Sequence, residues 1–71
     1  MNEKKKPAGQ GWTDGDGDRL WARAPYMDRP THSAAHVVTS LRGVYLTAAQ
    51  CREVAAHLTA LADAHEHKET P

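Results

Sequence analysis

The amino-acid sequence predicts an α+β fold in which two or three short antiparallel strands precede one C-terminal amphipathic helix. Three observations support this prediction: a capped apolar pattern at residues 46–65, two strand-like segments before it, and a start rich in Gly, Lys and Asp. We therefore expect a disordered N-terminal tail at 1–18, a small sheet-plus-helix domain at 19–66 and a frayed C-terminus at 67–71.

The helix is predicted from its start signal and from its periodicity. Thr47 is followed three residues later by Gln50, the pattern of a capping box, and no Gly or Pro follows until Pro71. Leu46 and Cys51 are spaced to form a hydrophobic staple around this cap. Apolar residues three and four apart then form a stripe that should face the core, at Cys51, Val54, Ala55, Leu58, Leu61 and Ala62.

A second row of small side chains lies on the other side of this helix. Ala56, Ala60 and Ala64 recur at four-residue spacing. Two interpretations remain open, because Ala is simply the best helix former on an exposed surface, whereas a ridge of small residues also lets a second helix approach closely.

The strand predictions depend on residues 19–24, which alternate in side-chain character, and on residues 34–41, which contain a β-branched run. Arg42-Gly43 then forms either a two-residue hairpin turn or a bulge in one longer strand. Residues 44–46 are predicted as a last short strand that leads into the helix. The first strand pairs either within the chain or with another copy.

Length and composition limit what this protein can be. The chain has 71 residues, enough for one domain, and its nine basic residues balance nine acidic ones, which argues against a protein that mainly neutralises a phosphate backbone. Phe and Ile are absent, so the core is small and a partner subunit is one way to complete it. The single Cys, the lack of about 20 consecutive apolar residues and the lack of a secretory signal predict a cytoplasmic protein.

No catalytic, cofactor-binding or metal site is predicted. The segment Asp14–Asp18 begins like a calcium loop, but Arg19 and Pro25 occupy the positions that need Gly and Glu. The five His residues lack the close spacing of zinc ligands. Cys51 lies on the predicted core stripe, where a thiol is an inert small hydrophobic group.

Residues 43–63 resemble a C-terminal pattern of short uncharacterised proteins of actinobacteria and their phages. That pattern is a valine-rich strand, then L-T-x-x-Q-A-R, then an Ala- and Leu-rich helix that ends near A-D. Here Leu46-Thr47-Ala48-Ala49-Gln50-Cys51-Arg52 fills the central motif, with Cys51 in place of the usual small residue. The resemblance implies a sheet-plus-helix fold and no known activity.

The thin core and the lack of a catalytic constellation predict a small non-catalytic protein-interaction or regulatory module, which forms a homodimer or binds a larger protein. Its interface is predicted at the exposed aromatic groups and the Ala ridge, namely Trp21, Tyr26, Tyr45, Ala56, Ala60 and Ala64. Trp12 is either a lone apolar group in the tail or a docking anchor.

Two alternative functions remain. The first is a dimeric β-ribbon DNA-binding regulator that contacts DNA through Arg19, Arg23 and Arg42. Zero net charge argues against it. The second is a histidine-dependent metalloprotein.

Overall fold

A computed structural model of the protein describes residues 8–25 and 33–69. The three strands in these residues form one antiparallel sheet, in which each strand lies beside its neighbour in the sequence. The α+β fold predicted from the sequence is confirmed. The elements are β1 (Gln10–Thr13), β2 (Arg19–Arg23), β3 (His36–Thr39) and α1 (Ala48–Glu69).

The first strand corrects the predicted tail at residues 1–18. β1 lies inside that segment and pairs with β2, with Trp12 opposite Leu20. The Gly- and Asp-rich composition was misleading, because these residues form the loop of a β-hairpin between two aromatic-containing strands. The prediction is therefore wrong for residues 8–18, and its first seven residues lie outside the described part of the chain.

The hairpin loop runs from Asp14 to Asp18. The Asp14 N–H donates to the Asp18 carbonyl at 2.9 Å, and the Gly17 N–H donates to the Asp14 carbonyl at 3.2 Å. Gly17 has a φ of 86°, in the left-handed region where residues with a Cβ are strained. The hydrogen bond between Asp14 and Asp18 leaves three residues, 15–17, between them, and three-residue hairpin loops commonly place Gly at the left-handed position. The DGDGD motif is thus explained by the turn that it forms.

A second turn redirects the chain from β3 into the helix. The Gly43 N–H donates to the Ser40 carbonyl at 2.8 Å, and Gly43 has a φ of 84°. Residues 44–46 follow outside the sheet, so the strand predicted there is wrong. This turn is therefore neither a hairpin between two strands nor a bulge within one. At the far end α1 continues to Glu69, whereas fraying was predicted from residue 67.

The capping box at the start of α1 is confirmed. The Thr47 N–H donates to Gln50 Oε1 at 3.0 Å, and the Gln50 N–H donates to Thr47 Oγ1 at 3.0 Å. Gln50 Nε2 also donates to the Thr13 carbonyl at 3.2 Å. The residue that completes the cap therefore also attaches the helix to the first strand.

Replacing Thr47 with Ala should lower the free energy of unfolding by about 1 kcal/mol, because a backbone N–H at the helix start loses its acceptor. Urea denaturation at fixed protein concentration measures this change. Thr59→Ala is the matched control, since Thr59 is exposed within the same helix and Ala there should leave stability equal or slightly higher. Equal losses in the two variants would contradict a role for the cap.

Side-chain alternation divides the sheet into two faces. Residues directly opposite each other share a face. The face toward α1 carries Trp12, Leu20, Ala22, Val37 and Thr39. The other face, here called the outer face, carries Thr13, Arg19, Trp21, Arg23, His36 and Val38. Among the described elements only α1 packs on the sheet, through the first of these faces.

The buried core is small, and of the six residues in the predicted stripe only Leu61 is fully buried, as predicted. Trp12, Ala22 and Leu61 are its buried apolar residues within the described chain, and His57 is buried beside them at 6% exposure. Cys51 and the neighbouring Ala55 are exposed, so their predicted place in the core is wrong. At 100° per residue the midpoint of His57 and Leu61 lies about 80° round the helix from Leu58, the centre of the predicted stripe. This side of the helix faces the sheet because its polar side chains, Gln50 and His57, hydrogen-bond to backbone carbonyls of the strands.

Candidate interaction surface

Three polar contacts orient α1 along the strands. Gln50 reaches the Thr13 carbonyl near the hairpin loop, as described above. One turn further on, Trp12 Nε1–H donates to Glu53 Oε1 at 2.9 Å. Nearer the far end of the sheet, His57 Nε2 lies 3.0 Å from the Ala22 carbonyl. The helix therefore runs along the strands and passes from β1 to β2, with Glu53 on its β1 side.

His57 is the polar centre of the core. A backbone carbonyl only accepts, so the contact with Ala22 requires that His57 Nε2 carry the proton. The imidazole also lies against Trp12, with ring centroids 5.7 Å apart and planes inclined by 59°. Tilted aromatic pairs at such distances are favourable. His57 lies off the apolar stripe predicted for the core, and its role follows from its position above Ala22.

The helix flank beside β3 is apolar and incompletely covered. Cys51 and Ala55 lie about 160° round the helix from Glu53, which faces β1, so they lie on the β3 side. Both are exposed, and Leu58 and Ala62 on the same flank are half-buried. We call these four residues the apolar flank. It contains most of the stripe that the sequence predicted for a core.

β3 forms an exposed edge of the sheet. All four of its residues are exposed, and the Ser40 N–H donates to the Arg19 carbonyl at 3.0 Å. Because backbone groups alternate in direction along an antiparallel strand, Val37 and Thr39 direct theirs away from β2. β3 contains no Pro, Lys, Asp or Glu, the residues that commonly protect such edges. The other edge differs, since the Thr13 carbonyl of β1 already accepts from Gln50.

The outer face is aromatic and basic. The Trp21 ring lies flat on β1 and close to two glycines. A Cβ added at Gly11 would be 2.8 Å from Trp21 Cε3, and one added at Gly9 would be 2.7 Å from Trp21 Cζ2. The glycines thus let the indole cover the strand backbone, an arrangement that shields a sheet edge. Trp21 is still 43% exposed. Arg19 and Arg23 flank it on the same strand and the same face.

The acidic hairpin loop has a structural role. Asp14 Oδ1 accepts from the backbone N–H groups of Asp16 at 2.8 Å and Asp18 at 3.1 Å. Its Oδ2 accepts from the Tyr45 N–H at 3.0 Å, and Arg42 Nη2 lies 3.2 Å from Asp18 Oδ2. These contacts attach the β1–β2 hairpin to the segment that leads into α1.

The same three carboxylates converge, with oxygens of Asp14, Asp16 and Asp18 within 4.8 Å of one another. A calcium ion takes six to eight oxygen ligands. Both oxygens of Asp14 already accept backbone N–H groups, and Asp18 already pairs with Arg42. The local hydrogen bonds therefore account for the geometry of this cluster.

The Tyr45 N–H lowers the pKa of the Asp14 carboxyl below its ordinary value of 3.8. Partial desolvation opposes this shift, while the N–H groups of Asp16 and Asp18 and the charge of Arg42 reinforce it. Because the folded-state pKa is depressed, the ionised carboxylate stabilises the fold above about pH 3.8, and this contribution is lost as the pH falls through the lower folded-state value.

Asp14→Asn should lower stability at neutral pH, because an amide cannot accept at both of its terminal atoms. The difference in urea midpoint between the wild type and this variant should shrink as the pH falls from about 5 toward 3. Asp16→Asn is the matched control in the same loop, since it leaves the Asp14 carboxylate in place. A difference that stays constant across this pH range would contradict the assignment.

The five predicted interface residues that the structure describes do not form one patch. Trp21 lies on the outer face and Tyr45 is exposed in the segment before α1. Ala56 and Ala60 are exposed on the helix, on the opposite side of the sheet from Trp21, and Ala64 is half-buried. Tyr26 lies outside the described residues. The β3 edge was not predicted as a site, although the uncharged β-branched composition of β3 was a usable signal.

Comparison with known proteins identifies no relative of this chain. No family profile matches the sequence, and no curated protein or solved structure matches it. The resemblance to short actinobacterial and phage proteins therefore stays a prediction. Among the described residues, no helix combines the length and apolarity needed to cross a membrane.

Proposed function

We propose that the protein is a small non-catalytic interaction module that associates with itself. The observation that supports this function is the exposed apolar surface formed by β3 and the apolar flank. Val37 and Val38 are 45% and 46% exposed, although β-branched residues in a strand normally pack against a neighbour. The free thiol of Cys51 suits a reducing compartment such as the cytoplasm.

The size of the core supports the same proposal. A core in a domain below about 70–80 residues rarely supplies more than about 3–5 kcal/mol of stability. Here three apolar residues are buried within the described chain, and one of them is an alanine. Binding of a second chain to the folded state alone would add stability by mass action.

Sedimentation velocity over roughly 1 to 200 micromolar protein tests the proposal, because association of this kind depends on concentration. We expect the sedimentation coefficient to rise from that of a 7.8 kDa monomer toward that of a dimer. The urea midpoint should rise over the same range. A constant coefficient together with a constant midpoint would contradict self-association.

A second candidate function is supported by the outer face. Arg19, Trp21 and Arg23 lie in a row there, and none of the six side chains on this face is acidic. Basic groups with an aromatic platform between them are typical of nucleic-acid contacts. Arg42, which the β-ribbon hypothesis also used, pairs instead with Asp18. Fluorescence anisotropy with labelled single- and double-stranded DNA at low salt tests this candidate, and a lack of binding there rejects it.

A further inference from the structure

We infer that the β3 edge is the surface through which two copies of this chain associate, by antiparallel pairing of β3 with β3 of the second copy. The inference rests on the proposed self-association and identifies its site. The two three-stranded sheets would become one continuous six-stranded sheet, with a two-fold axis at Val38. Both helices would lie on the same side of that sheet.

Backbone hydrogen bonding determines which registers are possible. Val37 and Thr39 direct their N–H and C=O groups away from β2. A two-fold axis at Val38 places Val37 of each copy opposite Thr39 of the other, so all four outward groups at each of these pairs are satisfied. A slip by one residue would put outward groups opposite inward ones. The edge is therefore complementary to itself.

The side chains agree with this register. Val38 would meet its own counterpart in the non-hydrogen-bonded position, where antiparallel strands approach most closely. Since Val38 already lies opposite Trp21, one apolar row would cross the outer face through both copies. β3 carries no lysine, arginine or carboxylate, so self-pairing brings no like charges of these residues together.

The partner of the β3 edge is a second copy of this chain, because pairing of β3 with β3 produces a closed, two-fold symmetric dimer. Pairing of β3 with the other edge, β1, would repeat from chain to chain and produce an open filament. β1 is also a poorer partner, since the Thr13 carbonyl already accepts from Gln50. β3 pairing with itself uses the better edge of each copy and leaves no free β3.

In this dimer the strands, and not the helices, make the contact. With strands about 4.8 Å apart, the two β2 strands would lie about 14 Å apart. Since His57 of each helix lies over Ala22 of β2, the two helices would be separated by a similar distance. Helices that pack directly lie about 8–10 Å apart. The two apolar flanks would thus form the walls of a shared groove above β3, and the Cys51 thiols would stay apart.

Disulfide formation tests the register directly. Val38→Cys combined with Cys51→Ala should oxidise to a covalent dimer, because residues opposite each other in a non-hydrogen-bonded pair meet the distance requirement of a disulfide. Gly15→Cys with Cys51→Ala is the matched control, since Gly15 lies exposed in the hairpin loop. Non-reducing electrophoresis with and without reductant measures the covalent dimer.

A charge on the edge tests the interface without relying on a crosslink. Thr39→Lys should raise the dimer dissociation constant about tenfold or more, because it places like charges near each other across the axis. Thr13→Lys is the matched control, an exposed Thr on the other edge strand. Circular dichroism of the dilute variants checks that both stay folded.

The outcomes separate the inference from the proposed function. A reductant-sensitive covalent dimer of the Val38→Cys variant, together with weaker association of the Thr39→Lys variant, supports β3 pairing. A dimer that survives Thr39→Lys and does not crosslink at position 38 overturns the inference but leaves self-association standing. A strict monomer up to the highest concentration overturns both.

Discussion

Replacing Trp12 with Ala is expected to unfold most of the protein in dilute solution at room temperature. Trp12 is only 7% exposed and packs its indole against His57, while its Nε1–H donates to Glu53. Removal of a buried Trp costs about 3–5 kcal/mol. That loss is as large as the whole stability expected of a domain this small, about 3–5 kcal/mol.

Trp21→Ala is the control for this prediction, because it removes the same side chain from the outer face. Trp21 is 43% exposed, and its ring covers the backbone at Gly9 and Gly11, with no helix of residues 8–25 and 33–69 above it. We expect a loss of about 1–2 kcal/mol, in proportion to the apolar area it buries. Urea denaturation followed by circular dichroism compares the two variants at one concentration. A Trp21 variant as unstable as the Trp12 variant would show that the core is misassigned.

The second large effect is expected at His57. His57→Ala removes a buried side chain and leaves the Ala22 carbonyl without its donor. These two losses together should cost about 3 kcal/mol. The free energy of unfolding from urea titration, measured at the same concentration as the wild type, gives this value.

Two further substitutions separate volume from hydrogen bonding at this position. His57→Leu fills the space but offers no donor to Ala22, whereas His57→Gln fills it and can donate through its amide. The Gln variant should be more stable than the Leu variant by about 1–2 kcal/mol, the cost of a buried carbonyl without a partner. If the Leu variant proves the more stable, the hydrogen bond to Ala22 contributes less than apolar packing.

These effects show why the tertiary contacts of α1 differ from its hydrophobic pattern. The sequence stripe is centred near Leu58, whereas His57 and Leu61 are the residues most deeply buried on the helix. A pattern of apolar side chains does not include His57, which can be buried because its ring donates to the Ala22 carbonyl. The apolar pattern of the helix also contains no information about β1. Trp12, the single large apolar residue of β1, contacts His57 and Glu53 and so helps to determine which side of the helix faces the sheet.

The features that could be predicted from the sequence depend on local interactions. The capping box at Thr47 and Gln50, the strands predicted at residues 19–24 and 34–41 and the order of sheet before helix follow from contacts between near neighbours, side-chain alternation or β-branched composition. Such signals do not depend on where the rest of the chain lies. They were therefore predictable, and they are confirmed.

Which surfaces meet in the folded chain depends instead on long-range contacts. The burial of Trp12 and His57, the attachment of Asp14 to Tyr45 and the exposure of the β3 edge depend on residues that are far apart in the sequence. Glycine and aspartate in residues 14–18 are compatible with both a solvated tail and a hairpin loop, and the pairing of β1 with β2 selects the loop. Long-range contacts make that selection, because the free energy of burying Trp12 arises only once β2 and α1 are in place.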